Sequence, residues 1–462
     1  MSDDAVRSHI ESRFDQAVQS LKAFCRFPSV SAQSRHASDS RACAEWLAAR
    51  LEAAGLTATI EPLGRPAVLA AAPARADRPT LLVYGHYDVQ PPDPLDLWTT
   101  DPFEPTVADG NLIARGASDD KGPLFAWIAA IEALRAAGED LPVNIKCLFE
   151  GEEEIGSPSL GPFIAANTER LACDAIAIAD GAFYADDTPS LTYGLRGLTY
   201  LEVKATGPDH DLHSGLCGGL APNPLNALAA MIASLHDAGG RVAVKGFYDD
   251  VRPPGEEERA IWSRLAFDAD AWRAEIGASA LAGPSDVPPL ERLWALPTLD
   301  CHGLWGGYTG EGCKTVIPAW AKAKLSCRLV CDQRAEVVAK QLEAHLRQHC
   351  PAGIRLEITS LTAQDPWLAD LDTPAVEAAR GAIGEAFEAP CALVRCGASI
   401  PVAIHFYRQL GVDPLIMGVS LPGDRVHSPN EKFGLDQFRR AIHASAALMD
   451  RLGRLSIRKN RT

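Results

Sequence analysis

The residues best suited to chemistry in this sequence are His86 and Asp88, which stand two positions apart. They follow a short apolar run at 81–83, which predicts a buried strand ending near Gly85. In an extended backbone, side chains two positions apart lie on the same side. An imidazole and a carboxylate held together in this way could bind a metal ion, form a proton relay or simply pair with each other. The pair alone does not decide among these roles.

Polar residues with metal-binding side chains follow other apolar segments. They are Asp119 in RGASDDKG, Glu153 and Glu154 in EGEEEIGS, Asp180 at the end of DAIAIAD, and His427 in the late loop GDRVHSPNEK. Each has an ordinary explanation, because aspartates often cap helices, acidic runs are usually solvated and single loop histidines usually lie on the surface. Strand ends on one edge of an α/β sheet converge, however, and converging carboxylates repel one another unless cations lie among them. We therefore expect a metal site with oxygen and nitrogen ligands, which suit zinc, manganese or cobalt.

Strands that alternate with helices predict an α/β fold with its site along one edge of a sheet. The alternation changes in character after residue 196 and resumes at about residue 373. We therefore predict a discontinuous domain of residues 1–196 and 373–462, with an inserted α+β domain of residues 197–372. A charged segment at about 249–290 is interpreted as an insertion, and the terminal SIRKNRT as a loose tail.

Composition narrows the class of protein. A chain of 462 residues is too long for one ordinary core, and 47% hydrophobic residues are normal for a folded domain. The formal net charge of −16 argues against nucleic-acid or anionic-membrane partners. The sequence starts without the pattern of a signal peptide and contains no apolar run of roughly 18 residues. The twelve cysteines are scattered without a CxxC pair, which predicts reduced thiols in the cytoplasm.

A series of motifs occurs in a specific order along most of the chain. They are GHYDVQP, RGASDDKGP, EGEEEIGS, the AD at 179–180, TYGLRG, DLHSGLCGG and HSPNEK. The set resembles the carnosinase and cytosolic non-specific dipeptidase family of di-metal peptidases, within the wider superfamily of aminoacylase, succinyl-diaminopimelate desuccinylase and carboxypeptidase G. The resemblance spans about residues 10–450. It implies a three-layer α/β catalytic domain with a central, mostly parallel sheet. It also implies an inserted ferredoxin-like α+β domain that acts as a lid and forms a homodimer.

The resemblance also implies two metal ions per chain, with zinc preferred and manganese or cobalt as alternatives. Asp119 would bridge the two ions. His86 and Asp180 would complete the ligands of one ion, and Glu154 and His427 those of the other. In the family, the peptide bond after this bridging aspartate is cis.

The remaining roles concern catalysis and substrate. By resemblance, Glu153 would be the general base acting on a water that bridges the ions, and Asp88 would orient the metal-bound histidine. His213 in the inserted domain would stabilise the oxyanion in the active site of the other subunit. The implied substrate-binding residues are Arg328, Thr315 and Ser399. An arginine suits a substrate carboxylate because its fork donates two parallel hydrogen bonds, although an arginine on a strand surface is the alternative here.

The resulting hypothesis is a metal-dependent hydrolase that cleaves the amide bond of dipeptides or similar small substrates with a free carboxylate. An N-acyl amino acid deacylase or amidohydrolase is the main alternative, because the same machinery cleaves any suitably held amide. With Asp180, the sequence resembles the peptidase branch of the superfamily at this position. The deacylase and carboxypeptidase branch has glutamate there. A metal-binding protein without catalytic activity is the third interpretation. The presence of Glu153 beside a full set of ligands argues against it. Cys396 departs from the pattern, because related dipeptidases tend to carry an acidic residue there, near the expected substrate.

Overall fold

The computed structural model describes residues 3–138 and 140–455, so the predicted tail SIRKNRT lies outside the described residues. Among the described residues the α-helices are, in chain order, α1 (Asp3–Cys25), α2 (Ala37–Ala53), α3 (Lys121–Gly138), α4 (Leu160–Ala166), α5 (Thr168–Leu171), α6 (Ser214–Cys217), α7 (Pro224–Ala233), α8 (Glu256–Trp262), α9 (Ala269–Glu275), α10 (Pro289–Trp294), α11 (Ala335–Gln348), α12 (Pro374–Phe387), α13 (Pro401–Leu410) and α14 (Leu435–Gly453). No helix in this part of the chain is both long enough and apolar enough to cross a membrane.

The strands, again in chain order, are β1 (Thr57–Glu61), β2 (Ala67–Ala71), β3 (Thr80–His86), β4 (Thr106–Ala108), β5 (Asn111–Ile113), β6 (Asn144–Glu150), β7 (Ala175–Ile178), β8 (Ser190–Leu195), β9 (Gly197–Thr206), β10 (Leu212–His213), β11 (Thr298–Gly306), β12 (Val316–Ile317), β13 (Trp320–Leu329), β14 (Arg355–Gln364), β15 (Trp367–Leu368), β16 (Ala392–Cys396), β17 (Pro414–Ile416) and β18 (Lys432–Gly434).

The chain divides into two compact units. The first comprises the residues up to Tyr193, Ala369–Val394 and the residues from Pro401 onward. The second comprises Gly194–Leu368 and Arg395–Ile400. The short segment Arg395–Ile400 therefore belongs to the second unit, although the domain boundaries predicted from sequence assign it to the first.

The sheet of the first unit explains why polar residues collect at one edge. Its strands include the run β1-β2-β6-β3-β7-β17-β8, and β16 also pairs with β8. The four central strands, β6, β3, β7 and β17, run parallel, while the neighbours on both sides are antiparallel. The predicted α/β fold is confirmed, and the expected parallel arrangement holds for the centre of a mixed sheet. Because parallel strands share one carboxyl edge, the residues that follow β3, β6 and β7 come close together.

The core of the first unit follows from its apolar strands and helices. In β3 every residue after Thr80 is buried, as expected for a strand covered on both faces. Helix α3 is also buried along most of its length and packs against α1 and α14. Among its residues, Trp127 is 2% exposed. A separate small sheet, with the order β18-β5-β4, joins the late loop before α14 to residues 111–113.

The second unit is an α+β structure with an antiparallel sheet of order β11-β13-β9-β14. Strand β9 alternates strictly between buried and half-buried residues, so one face of the sheet belongs to the core. Helices α7 and α11 pack on this sheet, and their apolar residues join the same core. The segment at about 249–290, interpreted above as an insertion, contains α8, α9 and the start of α10.

Candidate active site

His86 lies at the carboxyl end of β3 and is fully buried. Its Nδ1 atom lies 3.1 Å from the carbonyl oxygen of Asp88 and 3.4 Å from the Asp88 carboxylate. Its Nε2 atom lies 3.0 Å from Oδ1 of Asp119. Burial lowers the pKa of His86, but the carboxylates of Asp119 and Asp88 outweigh burial and raise it well above the usual value. Asp88 thus holds the Nδ1 side of the ring, and Nε2 is directed at Asp119.

Asp88 also fixes the turn that carries the two adjacent glutamates. Its carboxylate accepts hydrogen bonds from the backbone N–H groups of Glu153, at 3.2 Å, and Glu154, at 3.1 Å. These residues begin a short 3-10 turn, Glu153–Ile155, which starts three positions after the last residue of β6. The carboxylate of Asp88 therefore connects the end of β3 to the end of β6.

Asp119 lies between two histidines. Its Oδ1 faces His86, and its Oδ2 lies 2.9 Å from Nε2 of His427. The peptide bond between Asp119 and Asp120 is cis. The same His427 nitrogen lies 3.2 Å from Oε2 of Glu154. The side chain of His427 is 53% exposed, so this end of the cluster is open to solvent whereas the His86 end is closed.

Two groups of side chains could each hold a metal ion. The first is His86, Asp119 and Asp180, and the second is Asp119, Glu154 and His427. Within each group, the potential ligand atoms lie within 4.8 Å of one another. The two groups share Asp119, so they are a pair of neighbouring candidate cation sites with one common carboxylate.

The electrostatics of the cluster favour cations. Burial, followed by the nearby Asp119 carboxylate, raises the pKa of Asp180 to about 6. Burial also raises the pKa of Glu153 well above its usual value, with Asp180, Glu154 and Asp88 adding to the effect and His86 opposing it. These shifts have the cause expected for carboxylates that are crowded together away from water. Positive charge placed among them would relieve this repulsion.

Two further residues support the cluster but were not singled out from sequence. Nε2 of Gln90 donates a hydrogen bond of 2.8 Å to Oε2 of Glu154. Glu431 is fully buried and binds the chain segment that carries Asp119. Both lie inside the motifs GHYDVQP and HSPNEK. The signal that could have identified them is therefore their membership of these motifs, since their side-chain types alone carry no specific meaning.

In the second unit, His213 and Thr315 are neighbours. Strands β10 and β12 pair His213 with Val316, and the backbone N–H of Ser214 donates to the carbonyl oxygen of Thr315 at 3.1 Å. His213 is exposed, and its Nδ1 accepts a hydrogen bond of 3.0 Å from the backbone N–H of Gly215. Because Nδ1 acts as an acceptor, a neutral His213 carries its proton on Nε2 and can donate it to a ligand.

Arg328 lies in β13 of the same unit, opposite Thr298 of β11. Among the described residues, its side chain takes part in no hydrogen bond or ion pair. The neighbouring cation Arg196, in contrast, donates to the carbonyl oxygens of Arg292 and Leu296. Burial, followed by repulsion from Arg328, lowers the pKa of Arg196 to about 10. Of these two arginines, Arg328 retains the capacity to bind an anion.

The segment Arg395–Ile400 carries the other predicted residues of this unit. Ser399 is half-buried, and Cys396 accepts a hydrogen bond of 3.4 Å on its sulfur from the backbone N–H of Ala398. Arg395 is buried and pairs with Glu258 of α8, its Nε lying 2.8 Å from the carboxylate. The guanidinium of Arg395 is therefore engaged within the protein.

Adjacent ligand groups that share one carboxylate, with a further carboxylate beside them, are typical of two-metal hydrolases. The sequence matches peptidase family M20/M25/M40 over residues 82–451. The Beta-Ala-His dipeptidase of Homo sapiens is 36% identical over 372 residues, which cover 79% of this chain and 73% of the relative. The Cys-Gly metallodipeptidase of Schizosaccharomyces pombe is 34% identical over 383 residues, which cover 82% of this chain and 80% of the relative.

A solved structure supports the same relationship. The crystal structure of an M20 family metallo-carboxypeptidase from Sulfolobus solfataricus matches with a TM-score of 0.86 and 33% identity, covering 95% of this chain and 99% of that one. This chain belongs to peptidase family M20/M25/M40 and is a metal-dependent peptide-bond hydrolase. The family resemblance inferred from the motifs is thereby confirmed.

Proposed function

We propose that this protein is a dipeptidase that uses two divalent metal ions and acts on small substrates with a free carboxylate. The observation that carries the proposal is the pair of three-residue ligand groups that share Asp119. The names of its relatives, a Beta-Ala-His dipeptidase and a Cys-Gly metallodipeptidase, support dipeptides as the substrate class.

The donor set fits the proposed ions. His86, Asp119 and Asp180 would hold one ion, and Asp119, Glu154 and His427 the other. All ligand atoms are imidazole nitrogens or carboxylate oxygens, which suit zinc best, with manganese and cobalt as alternatives. When bound, such ions would polarise the scissile carbonyl and lower the pKa of an attacking water.

Glu153 is the proposed general base. It stands beside the proposed ligand Glu154 without belonging to either ligand group, so its carboxylate remains available for proton transfer. The hydrogen bond from its backbone N–H to Asp88 fixes the start of its turn. Glu153 would take a proton from the attacking water and deliver it to the leaving amine.

The second unit would supply the groups that bind the substrate. Nε2 of His213 is the proposed donor to the oxyanion, because its Nδ1 is already occupied by Gly215. Arg328 would bind the substrate carboxylate, and Thr315 and Ser399 would add polar contacts. We further propose that the active form is a homodimer in which this histidine acts on the site of the other subunit.

A deacylase that acts on N-acyl amino acids remains the second candidate. It is favoured by Cys396, a thiol at a position where the family resemblance predicts an acidic residue that could bind a substrate ammonium group. An N-acyl amino acid has no such ammonium group, yet it still offers the carboxylate that Arg328 would bind. We also propose a cytoplasmic location, supported by twelve cysteines that are all free thiols.

The test is a panel of dipeptides and the matching N-acetyl amino acids, assayed with added zinc or manganese. The proposal expects turnover of dipeptides that exceeds turnover of the N-acetyl compounds. The reverse order would favour the deacylase. Turnover of neither class by protein with its full metal content would contradict both.

A further inference from the structure

The buried carboxylate of Glu431 accepts hydrogen bonds from four donors. It lies four residues after His427 and immediately before β18, and its exposure is 0%. Oε1 accepts hydrogen bonds from the backbone N–H groups of Ser118, at 2.9 Å, and Asp119, at 3.0 Å. Oε2 accepts from the backbone N–H of Gly116, at 2.9 Å, and from Nη1 of Arg115, at 2.7 Å. Each oxygen thus receives two donors from one short segment.

The geometry requires a hydrogen-bond acceptor on both terminal atoms of the side chain at this position. All four partners are donors, and a carboxylate is the side chain that offers acceptors on both terminal atoms. The backbone N–H groups of 116, 118 and 119 converge on it, as they do in anion-binding loops. The segment reaches this shape through Gly116, whose φ of +82° is strained for other residues. The segment 115–119, called the Asp119 loop below, is therefore wrapped around the side chain of Glu431.

The same contact joins two segments that are far apart in sequence. Glu431 and Asp119 are 312 positions apart, and each segment carries a proposed metal ligand, His427 in one and Asp119 in the other. Main-chain bonds reinforce the connection, because the carbonyl oxygen of Glu431 accepts from the backbone N–H of Ala114 at 3.1 Å and Lys432 pairs with Ile113. The two ligand-bearing segments are held as one assembly.

We infer that Glu431 is a positioning residue for the metal site. Its carboxylate fixes the main chain of Asp119 and so sets where the two oxygens of Asp119 meet the histidines on either side. This inference rests on the proposed function, in which Asp119 is the ligand shared by both ions. Metal sites need their ligands held to within about 0.5 Å, and groups that support a ligand typically change metal affinity by about 10–100-fold when they are lost.

A matched pair of variants separates positioning of Asp119 from general support of the loop. Glu431→Gln keeps the size of the side chain but turns an NH₂ group towards two of the four donors. Asp424→Asn is the control, because Asp424 is also a buried carboxylate and accepts a hydrogen bond of 2.7 Å from the hydroxyl of Ser118. Asp424 therefore supports the same loop without bonding to the backbone of Asp119.

The measurement is calorimetric titration of metal-free protein with Zn²⁺, together with thermal denaturation of the same samples. Both variants should lower the melting temperature. Glu431→Gln should weaken Zn²⁺ binding by about 10–100-fold, and Asp424→Asn should weaken it by less than about threefold. At saturating Zn²⁺ the kcat of Glu431→Gln should recover most of its loss, because the variant retains Glu153 and every proposed ligand.

Unchanged Zn²⁺ affinity in Glu431→Gln would overturn the inference, and so would equal losses in Glu431→Gln and Asp424→Asn. If Glu431→Gln does not fold, Glu431→Asp takes its place, since it keeps the charge but cannot reach all four donors. Wild-type affinity in that variant would also overturn the inference. Asp119→Asn tests the proposed function separately. If Asp119→Asn keeps both ions, Asp119 is not the shared ligand, and both the proposed metal site and the role of Glu431 are refuted. If Asp119→Asn loses ions but Glu431→Gln does not, only the role of Glu431 is refuted.

Discussion

Glu153→Gln should separate the chemical step from metal binding. The change keeps the size of the side chain and removes its ability to accept a proton. Since Glu153 belongs to neither ligand group, and its backbone N–H remains bonded to Asp88, both ions should stay bound. Loss of a general base typically lowers the rate by about 10²–10⁴-fold, which corresponds to about 3–5 kcal/mol in the activation free energy. The metal-free variant should be no less stable than the wild type, because one of several crowded negative charges has been removed.

Glu154→Gln should fail in a different way, although Glu153 and Glu154 are adjacent in the sequence. Oε2 of Glu154 lies 3.2 Å from His427 and accepts a hydrogen bond from Gln90. Glutamine would reduce the negative charge that the second ligand group offers to an ion. We therefore expect this variant to lose about one of its two ions per chain, and to lose activity for that reason.

The assay combines metal analysis after dialysis with kcat for a dipeptide at saturating metal. Glu169→Gln is the control, because Glu169 lies exposed on the short helix α5. The control should match the wild type in both measurements. If Glu153→Gln retains its rate, Glu153 is not the base, and if it loses an ion, Glu153 is a ligand instead. If both Glu153→Gln and Glu154→Gln keep full metal and full rate, neither carboxylate takes part in metal binding or catalysis.

Other tests follow from the same geometry. Chelation should abolish activity and added Zn²⁺, Mn²⁺ or Co²⁺ should restore it, whereas active protein with almost no bound metal would contradict the proposal. Gly418→Ala would place a Cβ atom 2.1 Å from the carbonyl oxygen of Gly181, so it should shift the residue after Asp180 and weaken metal binding, as measured by calorimetry. Gly423→Ala meets no atom within 4 Å and serves as its control. Co-expressed His213→Ala and Glu153→Ala chains should regain activity as heterodimers, and inactive, verified heterodimers would exclude a histidine that acts on the other subunit.

The strand ends that carry the candidate site could be predicted from sequence, because each is marked by a local apolar run followed by polar residues. The apolar run before His86, and the acidic residues after β6 and β7, predicted strand ends, and the structure has strands at these places. The direction of each strand is harder to obtain, because apolar strands such as β2 and β6 read alike whether they pair parallel or antiparallel. For this reason the sequence predicted a mostly parallel sheet but not which of its strands pair antiparallel.

Long-range polar contacts could not be predicted from local pattern. Nothing near Glu431 indicates that its partners lie more than 300 positions earlier in the chain. The same holds for Arg395, whose pairing with Glu258 joins two segments 137 positions apart. Short strands were also missed, because β4, β5 and β18 have three residues each and show too little periodicity to detect.

The place of β17 in the sheet has a consequence for the nascent chain. This strand lies between β7 and β8, yet it is made about 240 residues after β7, which at typical translation rates is a delay of roughly 10–50 s. During that time one side of β7 lacks its partner, and an unpaired strand edge of this kind can pair with other chains. The last ligand, His427, leaves the ribosome later still. Assembly of the metal site is thus one of the final events of synthesis, and truncated chains that end before β17 should depend on chaperones to remain soluble.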